Sequence, residues 1–141
     1  MGNECVYYED LKKGDSASFA KTVSESDVYQ FAGITGDLNE LHINREAAEG
    51  SLFGARVVHG CLADSFVSTV LGMKLPGKGT IFLEKSVKYL KPVYIGDTVT
   101  ATVTVAEIME RGRVSFDVSY TNQKGEEVIS GTALVIAPRR G

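Results

Sequence analysis

The segment from Gly60 to Met73 (GCLADSFVSTVLGM) places the strongest constraint on the fold. It is long enough for about four turns of α-helix at 3.6 residues per turn, and Asp64 is its only charged residue. Because its apolar residues leave almost no polar face, this helix is expected to lie buried inside the protein. Pro76 and Gly77 follow and end the helix. Cys61, within the same run, is expected to be a small buried hydrophobic residue.

The second half of the chain is typical of antiparallel sheet. Apolar and polar residues alternate over residues 98–105 and again over residues 113–121, and this period of two indicates half-buried strands. Residues 80–91 and 128–137 are predicted to supply two further strands, and residues 16–23 could form a first one.

The first half contains helix signals instead. Ser24 is a predicted helix cap, and Asp27 three residues later forms a weak version of the capping box. This helix is expected to end near Ile34, where glycines cluster. A second short helix is predicted over residues 44–49, with Asn44 as its cap.

One long buried helix and about five antiparallel strands predict an α+β protein whose sheet wraps around the helix, the arrangement known as the hotdog fold. The pattern alone also allows other α+β folds. A length of 141 residues suits one compact domain, and there is no internal repeat or linker. We therefore expect a single domain over residues 1–141.

The composition excludes several classes of function. The chain has 15 basic and 18 acidic residues, and its net charge of −3 is too balanced to suggest binding to nucleic acid or to an anionic membrane. No run approaches the ~20 apolar residues of a membrane span, and the N-terminus lacks the apolar core of a signal peptide. The two cysteines are too few for a disulfide framework and lack metal-ligand spacing. These features predict a cytoplasmic protein.

The first chemical signal is the stretch from Thr35 to His42 (TGDLNELH), which contains Asp37 and His42. On a continuous helix these two side chains would point about 140° apart, but a turn around Gly36 and Asn39 could bring both into one cleft. Asp and His together can activate a water, because one accepts its proton while the other delivers a proton elsewhere. Taken alone, such a pair is more often a helix cap together with a surface histidine.

The second signal is His59-Gly60, directly ahead of the apolar helix. Gly60 lets another group approach the backbone closely, and the free N–H groups at a helix start favour developing negative charge. The site could therefore bind the oxyanion of a thioester carbonyl. It is equally compatible with a glycine that simply starts a packed helix and a histidine that fills a turn.

These segments resemble the MaoC-like dehydratases, specifically the (R)-specific enoyl-CoA hydratases. The family motif Gly-Asp-x-Asn-Pro-aliphatic-His is matched within residues 31–42 (FAGITGDLNELH), except that Glu40 stands in place of the proline. Residues 57–65 (VVHGCLADS) and 75–79 (LPGKG) continue the similarity, which covers roughly residues 25–105.

The resemblance implies an acid–base mechanism that requires no metal and no cofactor. Asp37 would take part in deprotonating a water that adds to C3 of a trans-2-enoyl thioester, and His42 would supply the proton to C2. The Gly60 amide would bind the thioester oxygen. The residues expected to contact or order the substrate are Asn39, Ser65 and His59.

The resemblance also implies an acyl-CoA or acyl-carrier-protein thioester as substrate, and a homodimer or higher homo-oligomer. Candidate contacts with CoA phosphates are Lys74, Lys78, Lys85 and Lys88, although scattered lysines are mostly plain surface. Two alternatives remain open at this point. One is a hotdog thioesterase, for which Asp64 is the only candidate carboxylate on the central helix. The other is a non-catalytic acyl-CoA binding module, which the replacement of the motif proline by Glu40 would suit.

Overall fold

The computed structural model of the protein describes residues 4–141. A short 3₁₀ turn over Tyr8–Asp10 precedes the first strand. The strands are β1 (Ser16–Thr22), β2 (Ile81–Tyr89), β3 (Thr98–Ile108), β4 (Arg113–Thr121) and β5 (Glu127–Ile136). The helices are α1 (Glu25–Thr35), α2 (Glu40–Ile43), α3 (Arg45–Glu49), α4 (Gly60–Asp64) and α5 (Phe66–Met73).

All five predicted strands form, and they make one antiparallel sheet in the order β1-β3-β4-β5-β2. Alternate residues of β3 (Val99, Ala101, Val103 and Val105) are buried. The strand alternation predicted from sequence therefore holds, although β3 continues to Ile108. Together with the central helical segment this is the predicted hotdog arrangement.

The central helical segment occupies the predicted range from Gly60 to Met73 but divides at Ser65 into α4 and α5. The Ser65 hydroxyl donates to the backbone oxygen of Leu62 at 2.6 Å, which satisfies a carbonyl at the junction. One face of the segment joins the core through Ala63, Phe66, Val67, Val70 and Leu71.

The opposite face of this segment is exposed and carries Cys61, Ser65 and Ser68. The spacings of four and three residues place the three side chains in one row along the helix. The expectation that Cys61 is buried was wrong, because the sheet covers only one side of the helix.

The helix signals of the first half are confirmed. The Ser24 hydroxyl accepts from the Asp27 amide at 3.1 Å, while the Asp27 carboxylate accepts from the Ser24 amide at 2.9 Å, so the capping box is complete. Gly36 ends α1 in the left-handed conformation, with φ of 80°. Asn44 caps α3 through a bond from the Ala47 amide.

Strand β2 lies at an edge of the sheet, and it pairs only with β5 among the residues described. Three consecutive large apolar residues at its start, Ile81, Phe82 and Leu83, are exposed. Over residues 4–141, the structure contains no helix with the length and apolar character needed to cross a membrane.

Candidate active site

The loop between α1 and α2 positions Asp37. After Gly36 ends α1, the Asp37 carboxylate accepts from the Asn39 amide at 3.2 Å. Asn39 in turn caps α2, since its side-chain oxygen accepts from the Leu41 amide at 3.0 Å. Asn39 thus orders the Asp37 loop from within the chain.

His42 lies on α2, a four-residue helix that sequence reasoning missed. Glu40 occupies the first position of this helix, where proline is favoured because its missing N–H is not needed. An acidic residue suits the same position because it faces the positive end of the helix dipole. The replacement of the motif proline is therefore compatible with the local structure.

The His42 ring is fixed by the backbone. Its Nδ1 lies 2.7 Å from the Val57 carbonyl oxygen, which can only accept, so Nδ1 carries a proton and donates. The other nitrogen, Nε2, is left to exchange a proton with a water or a substrate. His42 is half-buried and lines an apolar cavity.

His59 packs against the His42 ring and is bonded to the Asp37 loop. It is buried, with 2% of its surface exposed, and its ring stacks on His42 at a centroid distance of 3.8 Å. Its Nε2 donates to the Asp37 carbonyl oxygen at 3.0 Å. Sequence analysis placed His59 among the substrate-binding residues, but its contacts in the structure are with the catalytic candidates.

The structure therefore brings Asp37, His42 and His59 together. One carboxylate oxygen and one nitrogen from each ring all lie within 4.8 Å of one another. Three such groups could in principle hold a metal ion. The two rings are stacked with 25° between their planes, and one nitrogen of each ring is already bound to a backbone carbonyl.

Gly60 is the first residue of α4, and a side chain explains why a glycine is needed there. A Cβ at this position would lie 2.7 Å from Cε1 of Tyr89. The close approach expected at Gly60 is thus made by an aromatic ring. Both residues line a cavity of about 540 Å³ that also contains His42. Its other walls are mainly apolar and include Leu41, Phe53, Val57, Leu90 and Ile129.

Asp64 is the centre of a polar network that sequence reasoning did not find. It is buried, with 3% of its surface exposed, yet its carboxylate is paired with the Lys85 ammonium and accepts from the Tyr89 hydroxyl. The Tyr120 hydroxyl donates to its backbone oxygen at 2.6 Å. The sequence signal for this network was a single charged residue in an otherwise apolar helix, because a buried carboxylate requires partners.

Burial raises the pKa of the Tyr89 phenol, and the hydrogen bond to the Asp64 carboxylate raises it further. Burial is likewise the main cause that raises the pKa of Tyr120, followed by the charge of Asp64. Both phenols therefore stay protonated and continue to donate across the neutral and mildly alkaline range.

Three of the four lysines considered for CoA phosphates have partners within the chain. Lys74 donates to the Ser18 carbonyl, Lys78 pairs with Glu4 at 2.8 Å, and Lys85 is held by Asp64.

The MaoC like domain family model matches residues 11–128 of this chain. The chain belongs to the MaoC-like family. It is 49% identical to an (R)-specific enoyl-CoA hydratase of Rhodospirillum rubrum, over 96% of this chain and 94% of that protein. It is 39% identical to a 3-hydroxybutyryl-CoA dehydratase of Methylorubrum extorquens, over 96% and 86% of the two chains.

The fold agrees with this assignment. The structure of an R-hydratase from Pseudomonas aeruginosa in its unliganded form superposes with a TM-score of 0.93 at 31% identity, covering 96% of this chain and 88% of that one. The family resemblance and the hotdog fold predicted from the sequence motifs are both confirmed.

Proposed function

We propose that this MaoC-like protein is a hydro-lyase that hydrates trans-2-enoyl-CoA to (R)-3-hydroxyacyl-CoA and catalyses the reverse dehydration. The observation that carries the proposal is the convergence of Asp37 and His42 beside an apolar cavity whose wall includes Gly60. The names of the relatives in Rhodospirillum rubrum and Methylorubrum extorquens confirm the predicted enzyme class.

The proposed mechanism needs one proton acceptor and one proton donor. His42 starts as the imidazolium, with a proton on each ring nitrogen. Asp37 accepts a proton from water as the water oxygen bonds to C3, and Nε2 of His42 gives its proton to C2, which leaves His42 neutral. The proton on Asp37 then returns to His42, whose nearest nitrogen lies within 4.8 Å of the carboxylate. Both transfers occur on one face of the substrate, which is consistent with a single product configuration.

Gly60 supplies the proposed oxyanion donor. Its N–H belongs to the first turn of α4, whose amides have no partner within the helix. The charge that develops on the thioester oxygen is stabilised there by a donor and by the adjoining helix dipole. Because Gly60 and His42 line the same cavity, the Gly60 amide can bind the thioester oxygen while His42 protonates C2.

Three further residues have supporting roles in the proposal. His59 fixes the Asp37 loop through the carbonyl of Asp37 and supports the His42 ring by stacking. By capping α2, Asn39 orders both the Asp37 loop and the helix that carries His42. Ser65 lies on the exposed face of the central helix, where it can line the path of the acyl chain.

The two alternatives lose support. A thioesterase would use Asp64, but this carboxylate is buried and occupied by Lys85 and Tyr89. A non-catalytic module was motivated by Glu40, but Glu40 fits the first position of α2 and leaves the catalytic pair together.

The proposed assembly is a homodimer formed through β2. An unpaired edge strand with exposed apolar residues is a ready template for another strand, and Ile81, Phe82 and Leu83 provide such an edge. The thioester carrier is CoA or an acyl carrier protein. Light scattering on the purified protein tests the dimer, and replacing Leu83 by Lys should yield a monomer.

The decisive test of function is hydration of crotonyl-CoA, followed by loss of the enoyl absorbance. Asp37→Asn and His42→Ala should each lower turnover by about 10²–10⁴-fold, the usual contribution of a general acid or base. Asp117→Asn is a matched control, since Asp117 is exposed on the outer face of β4. Near-normal rates in both active-site variants contradict the mechanism, and release of free CoA thiol without loss of enoyl absorbance indicates a thioesterase.

A further inference from the structure

Helix α4 carries the proposed oxyanion donor at one end and Asp64 at the other. Gly60 is its first residue and Asp64 its last, so the helix is little more than one turn. A turn of this length has few internal hydrogen bonds, because the first N–H groups of a helix have no partner within it. Contacts with neighbouring elements are therefore needed to hold the Gly60 amide in place.

Tyr89, the last residue of β2, contacts both ends of α4. A Cβ on Gly60 would lie 2.7 Å from Cε1 and 3.1 Å from Cζ of the Tyr89 ring, so the ring lies close against the Gly60 backbone. The Tyr89 hydroxyl donates to the Asp64 carboxylate. A shift of α4 along or away from β2 therefore has to displace the ring or break this hydrogen bond.

Asp64 is itself anchored to two strands of the sheet. Its carboxylate is paired with Lys85, which lies four residues before Tyr89 and hence on the same face of β2. Its backbone oxygen accepts from the Tyr120 hydroxyl of β4 at 2.6 Å. Because a buried carboxylate is stable only where its hydrogen bonds are satisfied, these partners fix the Asp64 end of α4. Tyr89 connects that fixed end to Gly60.

The Tyr89 hydroxyl serves α4 and not the substrate. A phenol has one proton to donate, and the bond to Asp64 uses it. The hydroxyl therefore cannot donate to a thioester oxygen while this bond persists. Tyr89 lines the cavity with His42 and Gly60, so its ring is the part available to the substrate. An effect of the hydroxyl on the reaction has to pass through α4.

We propose that Tyr89 is a positioning residue, anchored by Asp64, that holds the Gly60 amide where it donates to the thioester oxygen. The inference rests on the proposed function, which assigns the oxyanion donor to Gly60. Such a donor acts only if it lies about 2.7–3.1 Å from the oxygen on which charge develops. A small displacement of α4 therefore weakens the transition state more than the binding of the uncharged thioester.

The first test is isotope-edited infrared spectroscopy of bound butyryl-CoA, with and without a label in the thioester carbonyl. A hydrogen bond from the Gly60 amide lowers the carbonyl stretching frequency, so the band of the bound thioester should lie below that of the free one. In Tyr89→Phe, which keeps the ring but loses the bond to Asp64, the band should move back toward the free value.

Tyr29→Phe is the matched control for this measurement. Tyr29 is about as exposed as Tyr89, and its hydroxyl also donates to a carboxylate, that of Glu25, at 2.8 Å. Tyr29 is not among the residues that line the catalytic cavity. The carbonyl band of butyryl-CoA bound to Tyr29→Phe should therefore match that of the wild type.

The second test is the hydration of crotonyl-CoA. Tyr89→Phe should lower kcat about tenfold and leave KM within about twofold of the wild type, because a displaced donor mainly loses its effect on the oxyanion. Asp64→Leu combined with Lys85→Met removes the anchor of Tyr89 and replaces the ion pair by apolar side chains of similar size, a change that such sites commonly tolerate. This double variant should give the same shift of the band and the same loss of kcat, and it replaces Tyr89→Phe if that variant fails to fold.

An unchanged carbonyl band or an unchanged kcat in Tyr89→Phe overturns the proposal. A rise in KM as large as the fall in kcat also overturns it, since that result indicates that the hydroxyl binds the substrate directly. The infrared measurement requires no turnover, so a wild type that fails to hydrate crotonyl-CoA contradicts the proposed function while the band still tests the inference. A wild type whose bound band equals the free one overturns the inference even if hydration proceeds, and a wild type that does not bind butyryl-CoA overturns both.

Discussion

The contact between Gly60 and Tyr89 can be tested by adding one methyl group. In Gly60→Ala the new Cβ would lie 2.7 Å from Cε1 of Tyr89 and 3.0 and 3.1 Å from two further ring atoms. These separations are shorter than van der Waals contact. The ring cannot swing away freely, because its hydroxyl donates to the buried Asp64 carboxylate. The substitution therefore requires either strain or the loss of that hydrogen bond.

Two effects of opposite sign decide the result. Replacing glycine by alanine reduces the entropy of the unfolded chain and stabilises a compatible site by about 0.4–1 kcal/mol. Inserting a methyl group into a packed contact costs about 1–3 kcal/mol. The steric cost is the larger, so Gly60→Ala should lower the free energy of unfolding by about 1–2 kcal/mol.

The assay is urea unfolding at pH 7, followed by circular dichroism, for four proteins: wild type, Gly60→Ala, Tyr89→Ala and the double variant. Without the ring the clash is absent, so Gly60→Ala should become stabilising by about 0.4–1 kcal/mol in the Tyr89→Ala background. The double-mutant cycle should yield a coupling of about 1–3 kcal/mol. Equal effects of Gly60→Ala in both backgrounds would refute the steric argument, provided that the slopes of the unfolding curves agree.

Three further predictions concern the elements that hold the site. Asn39→Ala removes the acceptor that caps α2, so it should lower the free energy of unfolding by about 0.5–2 kcal/mol and also lower the hydration rate. Asn39→Asp keeps an acceptor and should retain the stability and the rate of the wild type. Equal behaviour of the two variants would contradict the capping role. Asp64→Ala leaves the Lys85 ammonium and the Tyr89 hydroxyl without their partner, so it should lower the free energy of unfolding by about 3 kcal/mol. An unchanged urea midpoint would show that the network does not stabilise the fold. The Ser24 amide is the main cause that lowers the pKa of Asp27, so this carboxylate stabilises the protein above its unfolded pKa of about 3.9, and its contribution is lost as pH falls through the lower folded value. The difference in stability between wild type and Asp27→Asn should therefore be largest near neutral pH and shrink below about pH 4, and a difference that is constant with pH would exclude the mechanism.

The elements that sequence reasoning located depend on short-range regularities. The capping box at Ser24 is formed by groups three residues apart, and the strands of residues 98–105 and 113–121 follow from alternation within one segment. The range of the central helix was equally visible. Its complete burial was not correctly inferred, because periodicity does not state how much of a helix the sheet covers.

The α2 helix illustrates a different limit. It has four residues, too few for a periodic signal, and its cap, Asn39, is also a common turn residue. The motif could be matched to a family without this helix being noticed. Its presence matters for the interpretation of Glu40, since a position that tolerates proline at a helix start also accepts an acidic residue.

The acid–base chemistry was inferred from Asp37 and His42. This pair could be singled out from the sequence only because the other family motifs occur in order along the same chain. The sequence by itself determined the fold class and the family and singled out the candidate acid–base residues, because these are recorded in local patterns and ordered motifs. Tertiary structure alone decided that His59 lies beneath His42, that Tyr89 fills the space beside Gly60 and that Asp64 joins Lys85 to Tyr89. The last two contacts join residues more than 20 positions apart in the chain. Their geometry depends on how β2 packs beside the central helix, which no local pattern specifies.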